Sequence, residues 1–440
     1  MATVRHFLRA NVRPGDLLLV ALLALPVILA WPRLGILDPA DSAAVLRWTA
    51  RVSGIAAMIC MILAALLSAR LPGVDRWFGG LPRIWGWHRA LGYWAFVLTM
   101  MHVLAIAFAG VAGSPEQAVA TLFPGAGGHA IWAGWAAWLL MLAFVWPTFG
   151  LPRPPAYQRW KRLHLLSAPM LILALAHVLW LTPPGAVWWA LGGAGLLAIG
   201  WRKVLAPRVA RHEHRVVSVT PLTDDVVEIA LRPRGAPVRF RPGQFVYLTP
   251  FDEDLAAGRG EEHPYTIASA PGDPLLRIGI KNLGDASGAL QTVSVGSSAA
   301  IEGPYGCFFQ RHHPGRGQLW FGGGIGITPF VAGARALADE ALATTGDIRL
   351  FYLADRPERA YYLEELQRLA ATSPGLEVTP HYFRSHGAIT GGFLQQHCGD
   401  FASREIYICG PQAMRNHLLD LLRRHGVPGY RIHTEAFDFL

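Results

Sequence analysis

"HLLSAPMLILALAH", from His164 to His177, is apolar enough to sit in lipid yet carries an imidazole at each end. An ionisable side chain inside a membrane span is costly and normally faces a partner, a cavity or a bound group. "HRALGYWAFVLTMMH", from His88 to His102, repeats the pattern. At about 1.5 Å rise per residue, fourteen residues separate His88 from His102 by about 21 Å and thirteen separate His164 from His177 by about 20 Å. Two helices running the same way would therefore offer imidazoles at two matched depths. The rotational phase fits less well: at about 100° per residue, fourteen residues return to within about 40° of the same face, whereas thirteen miss by about 140°. Pro169 sits where it can kink or re-phase the second helix.

The rest of the chain supplies the membrane. Of 440 residues only 16% are charged and the mean hydropathy is positive, which points to a membrane part joined to a soluble part. The formal net charge is +9, but the basic residues cluster beside apolar segments, where the positive-inside rule accounts for them without nucleic acid. Six stretches before about Lys203 can cross a hydrocarbon layer of about 30 Å: Asp16–Trp31, Ala43–Ala69, Ile84–Ala109, Ala130–Phe149, Trp160–Leu181 and Val187–Trp201. The first also has the basic flank of a signal peptide, but no A-x-A site follows directly, so a retained helix is expected. Arginines and lysines crowd the amino terminus, the second and fourth connections and the stretch after the sixth span, which places both termini and everything after Arg208 in the cytoplasm, as in a bacterial inner-membrane protein. Cys60, Cys307, Cys398 and Cys409 have no CxxC spacing, which argues against a zinc site, a thiolate-held cluster or a disulfide framework.

Four imidazoles at two depths suit two flat metal macrocycles, each clasped from both faces, and neutral imidazole is a usual axial ligand of haem iron. Two b-type haems are expected, on His88 with His164 and on His102 with His177. A membrane histidine can also be an interhelical hydrogen bond, and a series of them a proton relay. Arg51 lies near the outer level, where it can meet a haem propionate or an anionic acceptor, or snorkel. Met170 falls midway between the levels, as gap filler or ordinary packing. His129 has no matching imidazole.

From about Arg211 the pattern changes to short β-branched runs separated by Pro, Gly and Asp, as in a small antiparallel barrel. From about Gln318 apolar strands alternate with helical stretches, as in parallel α/β structure. Three domains are expected, at 1–210, 211–313 and 314–440: a six-helix all-α transmembrane bundle, an antiparallel β-barrel and a parallel α/β nucleotide-binding domain.

The order "RPGQF", "HPYT", "KNLGDAS", "EGPYG", "GGGIGITP", "CGP" and a C-terminal aromatic resembles the ferredoxin–NADP reductase family across the soluble half. With the histidine pairs, nearly the whole chain resembles the membrane NADPH oxidase and ferric reductase superfamily. That resemblance implies FAD in the barrel, against His263, Pro264, Tyr265 and Thr266, with His263 in place of the arginine common in soluble members. Lys281, Gly284 and Ser287 would meet the flavin pyrophosphate. Gly322, Gly323, Gly324, Gly326, Thr328 and Pro329 would meet the pyrophosphate of NADPH or NADH, and Cys409, Gly410 and Pro411 would approach the nicotinamide. Phe437 would stack on the flavin, although Phe439 also precedes Leu440. Arg356 would favour a 2′-phosphate and Asp355 a free ribose hydroxyl.

Under this resemblance the chain is an NAD(P)H-dependent transmembrane oxidoreductase resembling an NADPH oxidase, in which Thr266, Cys409, Phe437 and Arg51 serve the chemistry. It would take NAD(P)H in the cytoplasm and reduce a small external acceptor, dioxygen first and ferric iron second. The competing reading is a proton-conducting protein whose soluble half senses nucleotide.

Overall fold

The computed structural model describes residues 12–30, 34, 38–149, 157–181, 185–309, 315–339 and 347–435. They divide into two compact units. One holds the described residues within 14–70 and 83–207; the other holds those within 12–13, 71–82 and 208–435.

The first unit is helical. Its main helices are α1 (Pro14–Ala30), α2 (Ser42–Leu67), α3 (Leu81–Gly113), α4 (His129–Phe149), α5 (Ser167–Leu181) and α6 (Ala186–Gly200). A helix Tyr157–Leu163 and a 3₁₀ turn His164–Leu166 lead directly into α5. Among the described residues, four spans are long and apolar enough to cross a membrane: Ser42–Leu67, Leu81–Gly113, His129–Pro147 and Gln158–Leu181. Helices also form at the first and sixth expected spans, but they have 17 and 15 residues, below the roughly 20 that a bilayer core needs. Asp41 caps α2 by accepting from Ala43 N at 2.9 Å, satisfying an otherwise orphaned donor. Asp16, buried in α1, accepts from Arg83 Nη2 at 2.5 Å and Trp87 Nε1 at 2.8 Å, which ties α1 to α3. Elsewhere α4 packs along α5, and α2 along α6.

The second unit carries two sheets. The first has β1 (Arg211–Thr223), β2 (Val226–Pro233), β3 (Phe245–Pro250), β4 (His263–Thr266), β5 (Leu276–Lys281) and β6 (Ser298–Tyr305). Its order is β4-β3-β6-β1-β2-β5 and its pairs are antiparallel. The sheet curls until Ile267, just past β4, makes an isolated bridge to Ile278 in the middle of β5, bringing the two outermost strands together. Val216, Ile229, Leu231, Leu248, Ile278 and Ile301 fill its interior.

The second sheet is parallel, in the order β11-β10-β7-β8-β9. Its strands are β7 (Gln318–Gly323), β8 (Ile348–Ala354), β9 (Leu376–Tyr382), β10 (Glu405–Cys409) and β11 (Ile432–Glu435). Helices α7 (Thr328–Ala338) and α8 (Leu363–Thr372) belong to the core on one face; α9 (Gly391–Cys398) and α10 (Gln412–Arg424) belong to the core on the other. Coverage on both faces explains why the strands read as continuous apolar runs. From β7 the chain moves to β8 on one side and later returns to β10 on the other. The gap between β7 and β10 is therefore the topological switch point, where open α/β sheets bind ligands beyond the carboxyl ends of their strands.

Candidate functional site

In the helical unit, the rings of His88 and His164 have centres 6.0 Å apart at 77°, and those of His102 and His177 lie 6.3 Å apart at 82°. An imidazole nitrogen sits about 2 Å from a metal it ligates and about 1.1 Å from its own ring centre, so two rings on opposite faces of one metal have centres about 6.2 Å apart. Both pairs meet that spacing. Three of the four rings donate their other nitrogen to a backbone carbonyl: His88 Nδ1 to Ala64 O at 2.9 Å, His102 Nδ1 to Ala50 O at 2.7 Å and His177 Nδ1 to Ala130 O at 2.8 Å. A carbonyl can only accept, so the proton is on Nδ1 and the lone pair on Nε2, the state a metal ligand needs.

The His102–His177 pair uses one device twice. Gly54 lies one turn beyond Ala50, and Gly134 one turn beyond Ala130; a Cβ on either would stand 2.7 Å from the Nδ1 of His102 or His177. The missing side chains let each ring press flat against a helix and reach its carbonyl. His164 differs from the other three. Its buried Nδ1 has no hydrogen-bond partner among the described residues, and its ring stacks on Trp160 at 5.0 Å and meets Phe144 edge-on at 5.2 Å.

The phase mismatch has a structural answer. His164–Leu166 is a 3₁₀ turn, which rises about 2.0 Å per residue and turns about 120°. Three such residues plus ten α-helical ones rise about 21 Å, the same as fourteen α-helical residues, and the angular miss falls from about 140° to about 80°. That is within about 40° of the phase of α3.

A cavity lies among α2, α3, α4 and α5, lined by His102, His177, Gly54, Gly134, Trp138 and Met170 among others. Among the described residues, no three His, Cys, Asp or Glu side chains gather to hold a metal. Each imidazole pair could hold a planar metal macrocycle from two sides, and the apolar lining between the His102 and His177 rings suits such a group. Met170 belongs to this lining and not to a separate layer. Arg51 follows the carbonyl that holds His102 and donates from Nη1 to Leu34 O at 3.1 Å. His129 meets Trp180 edge-on at 4.8 Å.

In the second unit, His263, Pro264, Tyr265 and Thr266 form β4, paired with β3 from Leu248 back to Phe245. His263 Nε2 is 3.3 Å from Glu261 Oε2, and burial pushes the Tyr265 phenol up from its ordinary value. Lys281 ends β5 with its ammonium 3.9 Å from Asp225. Gly284 precedes a short helix, and Ser287 Oγ is engaged locally, accepting from Leu283 N at 2.9 Å and donating to Gly284 O at 3.1 Å.

The two remaining motifs meet at the switch point. Gly324 takes φ +54°, a left-handed conformation that glycine adopts without strain. A Cβ on Gly326 would lie 2.6 Å from the carbonyl of Cys409 and the Cα of Gly410, so the glycine loop after β7 lies backbone to backbone on the segment after β10. Gly322 and Gly323 face Ile327 and Met414 as closely. Thr328 Oγ1 donates to Ile325 O at 2.7 Å and Pro329 sits in the first turn of α7. Gly410 and Pro411 lead from this junction into α10, whereas the Cys409 side chain is fully buried and its thiol is pushed well up by burial. Arg356 lies 3.8 Å from Glu358, and the carboxylate of Asp355 is 3.0 Å from Arg384 Nε.

Sequence reasoning missed an acidic cluster here. Glu435 ends β11 in register with Cys409; its buried Oε1 has no hydrogen-bond partner among the described residues. Burial, reinforced by Asp75, raises its carboxyl to about 8. Asp75, itself raised by burial, accepts from Gly306 N at 3.0 Å, and the Cys307 thiol is pushed to about 12 by burial, with Asp75 and Glu435 adding to it. Nothing in the local sequence marks these groups, since Glu435 ends the mixed strand Ile-His-Thr-Glu. Phe437 and Phe439 lie outside the described residues.

Residues 53–175 match the ferric reductase like transmembrane component, 211–308 an FAD-binding domain and 321–419 an oxidoreductase NAD-binding domain. The chain is 31% identical over 235 residues to the stachydrine N-demethylase reductase subunit Stc4 of Rhizobium meliloti, covering 50% of this chain and 65% of that one. It is 28% identical over 243 residues to the propane 2-monooxygenase reductase component of Rhodococcus jostii, covering 51% and 62% respectively. The chain thus spans less than two thirds of the length of these relatives. A solved ferredoxin reductase of carbazole 1,9a-dioxygenase is similar at 26% identity and TM-score 0.43, over 54% of this chain and 72% of that one.

Proposed function

We propose that this chain, whose ferric reductase-like transmembrane component precedes FAD-binding and NAD-binding oxidoreductase domains, is a transmembrane NAD(P)H oxidase that moves electrons from cytoplasmic NAD(P)H to external dioxygen, giving superoxide. FAD supplies the change from two-electron to one-electron chemistry, and two b-type haems supply one-electron carriage across the membrane. The observation that carries the reading is the pair of facing imidazoles at ring separations of 6.0 and 6.3 Å.

In this reading all six helices α1 to α6 span the bilayer with both termini in the cytoplasm, the curled sheet is a flavin-binding barrel, and the domains run 1–210, 211–313 and 314–440. His88 and His164 hold the inner haem, His102 and His177 the outer one, and the carbonyls of Ala64, Ala50 and Ala130 fix three of the four rings. Arg51 serves the outer haem or the acceptor. Tyr265 and Thr266 line the isoalloxazine with His263 and Pro264 beside them, while Lys281, Gly284 and Ser287 serve the flavin pyrophosphate. The loop from Gly322 to Gly326, with Thr328 and Pro329, takes the nucleotide pyrophosphate on its amides. The backbone of Cys409, Gly410 and Pro411 borders the nicotinamide, and Phe437 covers the flavin. Glu435 holds a proton on its carboxyl at neutral pH, ready for the flavin side of the site. With Asp355 engaged by Arg384, Arg356 favours the 2′-phosphate of NADPH.

The test is the spectrum of the detergent-solubilised chain before and after NADPH, followed by acceptor assays. Two b-type haems reduced by NADPH, with superoxide formed faster than ferric chelate is reduced, are expected. A colourless protein would support the proton-relay reading instead, and preferential ferric reduction would move the assignment to a metal reductase.

A further inference from the structure

We infer that Arg335 and Glu228 are positioning residues for hydride transfer, their buried ion pair holding the nucleotide loop in register over the flavin-binding sheet. The inference rests on the reading of the soluble half as an NAD(P)H–flavin reductase and is independent of the haems.

Glu228 stands in the middle of β2, where all six residues from Val226 to Leu231 are buried. A buried carboxylate is costly unless its oxygens are satisfied, and three donors from three elements converge on it. Arg335 Nη2 of α7 and the Tyr362 hydroxyl reach Oε2 at 3.1 and 3.0 Å, and Arg277 Nη1 of β5 reaches Oε1 at 3.1 Å. Arg335 uses the rest of its guanidinium in the same place. Nε and Nη2 grip the two oxygens of Glu365 at 2.7 and 2.9 Å, and Nη1 donates to Ala268 O at 3.0 Å. Two arginines face two glutamates, so the charges balance.

The two ends of this network are the two halves of the reaction. Ala268 lies two residues past Thr266 at the end of β4, the strand assigned to the flavin. Arg335 lies on the helix that grows out of the glycine loop. Between them, a Cβ on Gly279 of β5 would come 3.0 Å from the Tyr362 hydroxyl and 3.4 Å from Ile325 Cδ1 and Thr328 Oγ1. The loop and first turn of α7 are therefore seated directly on the antiparallel sheet. A second link, from Asp225 to both Arg359 and Lys281, lies on the more exposed edge of the same seam. Buried ion pairs give little net stability over apolar packing of equal volume. What the forked Arg335 contacts supply is a fixed angle between donor and acceptor lobes.

The experiment is anaerobic stopped-flow bleaching of the flavin by NADPH and by its 4-deuterated form, on the full-length protein, with Arg335→Met, Glu228→Gln and the double variant. Hydride transfer tolerates little misplacement. Each single variant should slow it about tenfold or more while the NADPH Kd moves less than about threefold and FAD is retained, and the double variant should be no slower than the worse single one. Unchanged bleaching, or a rate loss matched by an equal loss of NADPH binding, would overturn the inference. If Arg335→Met loses FAD or does not fold, Arg335→Lys decides: it keeps the positive charge but cannot grip Glu228 and Glu365 together, and an unchanged rate there also overturns the inference. Failure of the wild-type flavin to bleach would instead remove the underlying reading.

Discussion

Replacing Gly54 by alanine isolates the claim that the outer imidazoles are metal ligands held from behind. The new Cβ would stand 2.7 Å from His102 Nδ1 and 3.0 Å from its Cε1, whereas ordinary contacts lie near about 3.5 Å or beyond. The ring must retreat by most of an ångström, which it cannot do while Nδ1 holds Ala50 O at 2.7 Å and Nε2 holds a metal. Losing such an outer-shell partner costs about 10–100-fold in metal affinity, or about 1.4–2.7 kcal/mol. Helix propensity works in the opposite direction, because alanine favours a helix over glycine by about 1 kcal/mol. A loss therefore reports on the histidine and not on α2. Gly193→Ala in α6 is the control, since no atom lies within 4 Å of its added Cβ. Haem per chain and a reductive titration of the purified protein make the measurement. Gly54→Ala should lose outer haem or shift its potential while Gly193→Ala matches the parent. Equal haem content and superimposable titrations in all three proteins would refute the role given to His102.

Three further outcomes follow from the same geometry. His177→Leu should abolish outer-haem absorbance and acceptor reduction while leaving NADPH-driven flavin bleaching intact, as read by spectra and stopped flow; persistence of the outer haem would mean another ligand. Glu435→Gln should alter the pH dependence of stability. With its folded value raised to about 8, the native state binds a proton that the unfolded chain releases near pH 4.5. The group's stabilisation is thus full below that pH and declines by up to about 1.4 kcal/mol per pH unit until about pH 8; denaturant titrations across that window should show the decline vanish in the variant. Gly326→Ala should destabilise by about 1–3 kcal/mol and weaken NADPH binding, because its Cβ meets backbone atoms of Cys409 and Gly410 that cannot yield; an unchanged Tm would contradict the backbone junction at the switch point.

The sequence by itself determined what depends on composition and periodicity. Its apolar runs mark the four long spans, and short β-branched runs followed by apolar strands alternating with helical stretches mark an antiparallel sheet before a parallel one. The spacing of His88, His102, His164 and His177 set two depths, because rise per residue is nearly constant along a helix. Only tertiary structure decided what depends on which surfaces meet. A 3₁₀ turn at His164 corrects a phase that residue counting left wrong, and Gly54 and Gly134 became readable only once their helices lay against the rings. Gly326 and Cys409 are distant in sequence and touch only because β7 and β10 are neighbours. Glu435, Asp75 and Cys307 carry no local signal at all, since a carboxyl's environment is set by what buries it. Helical spacing is a local property of the backbone, whereas burial, hydrogen-bond partners and perturbed acidity arise from contacts between segments far apart in the chain.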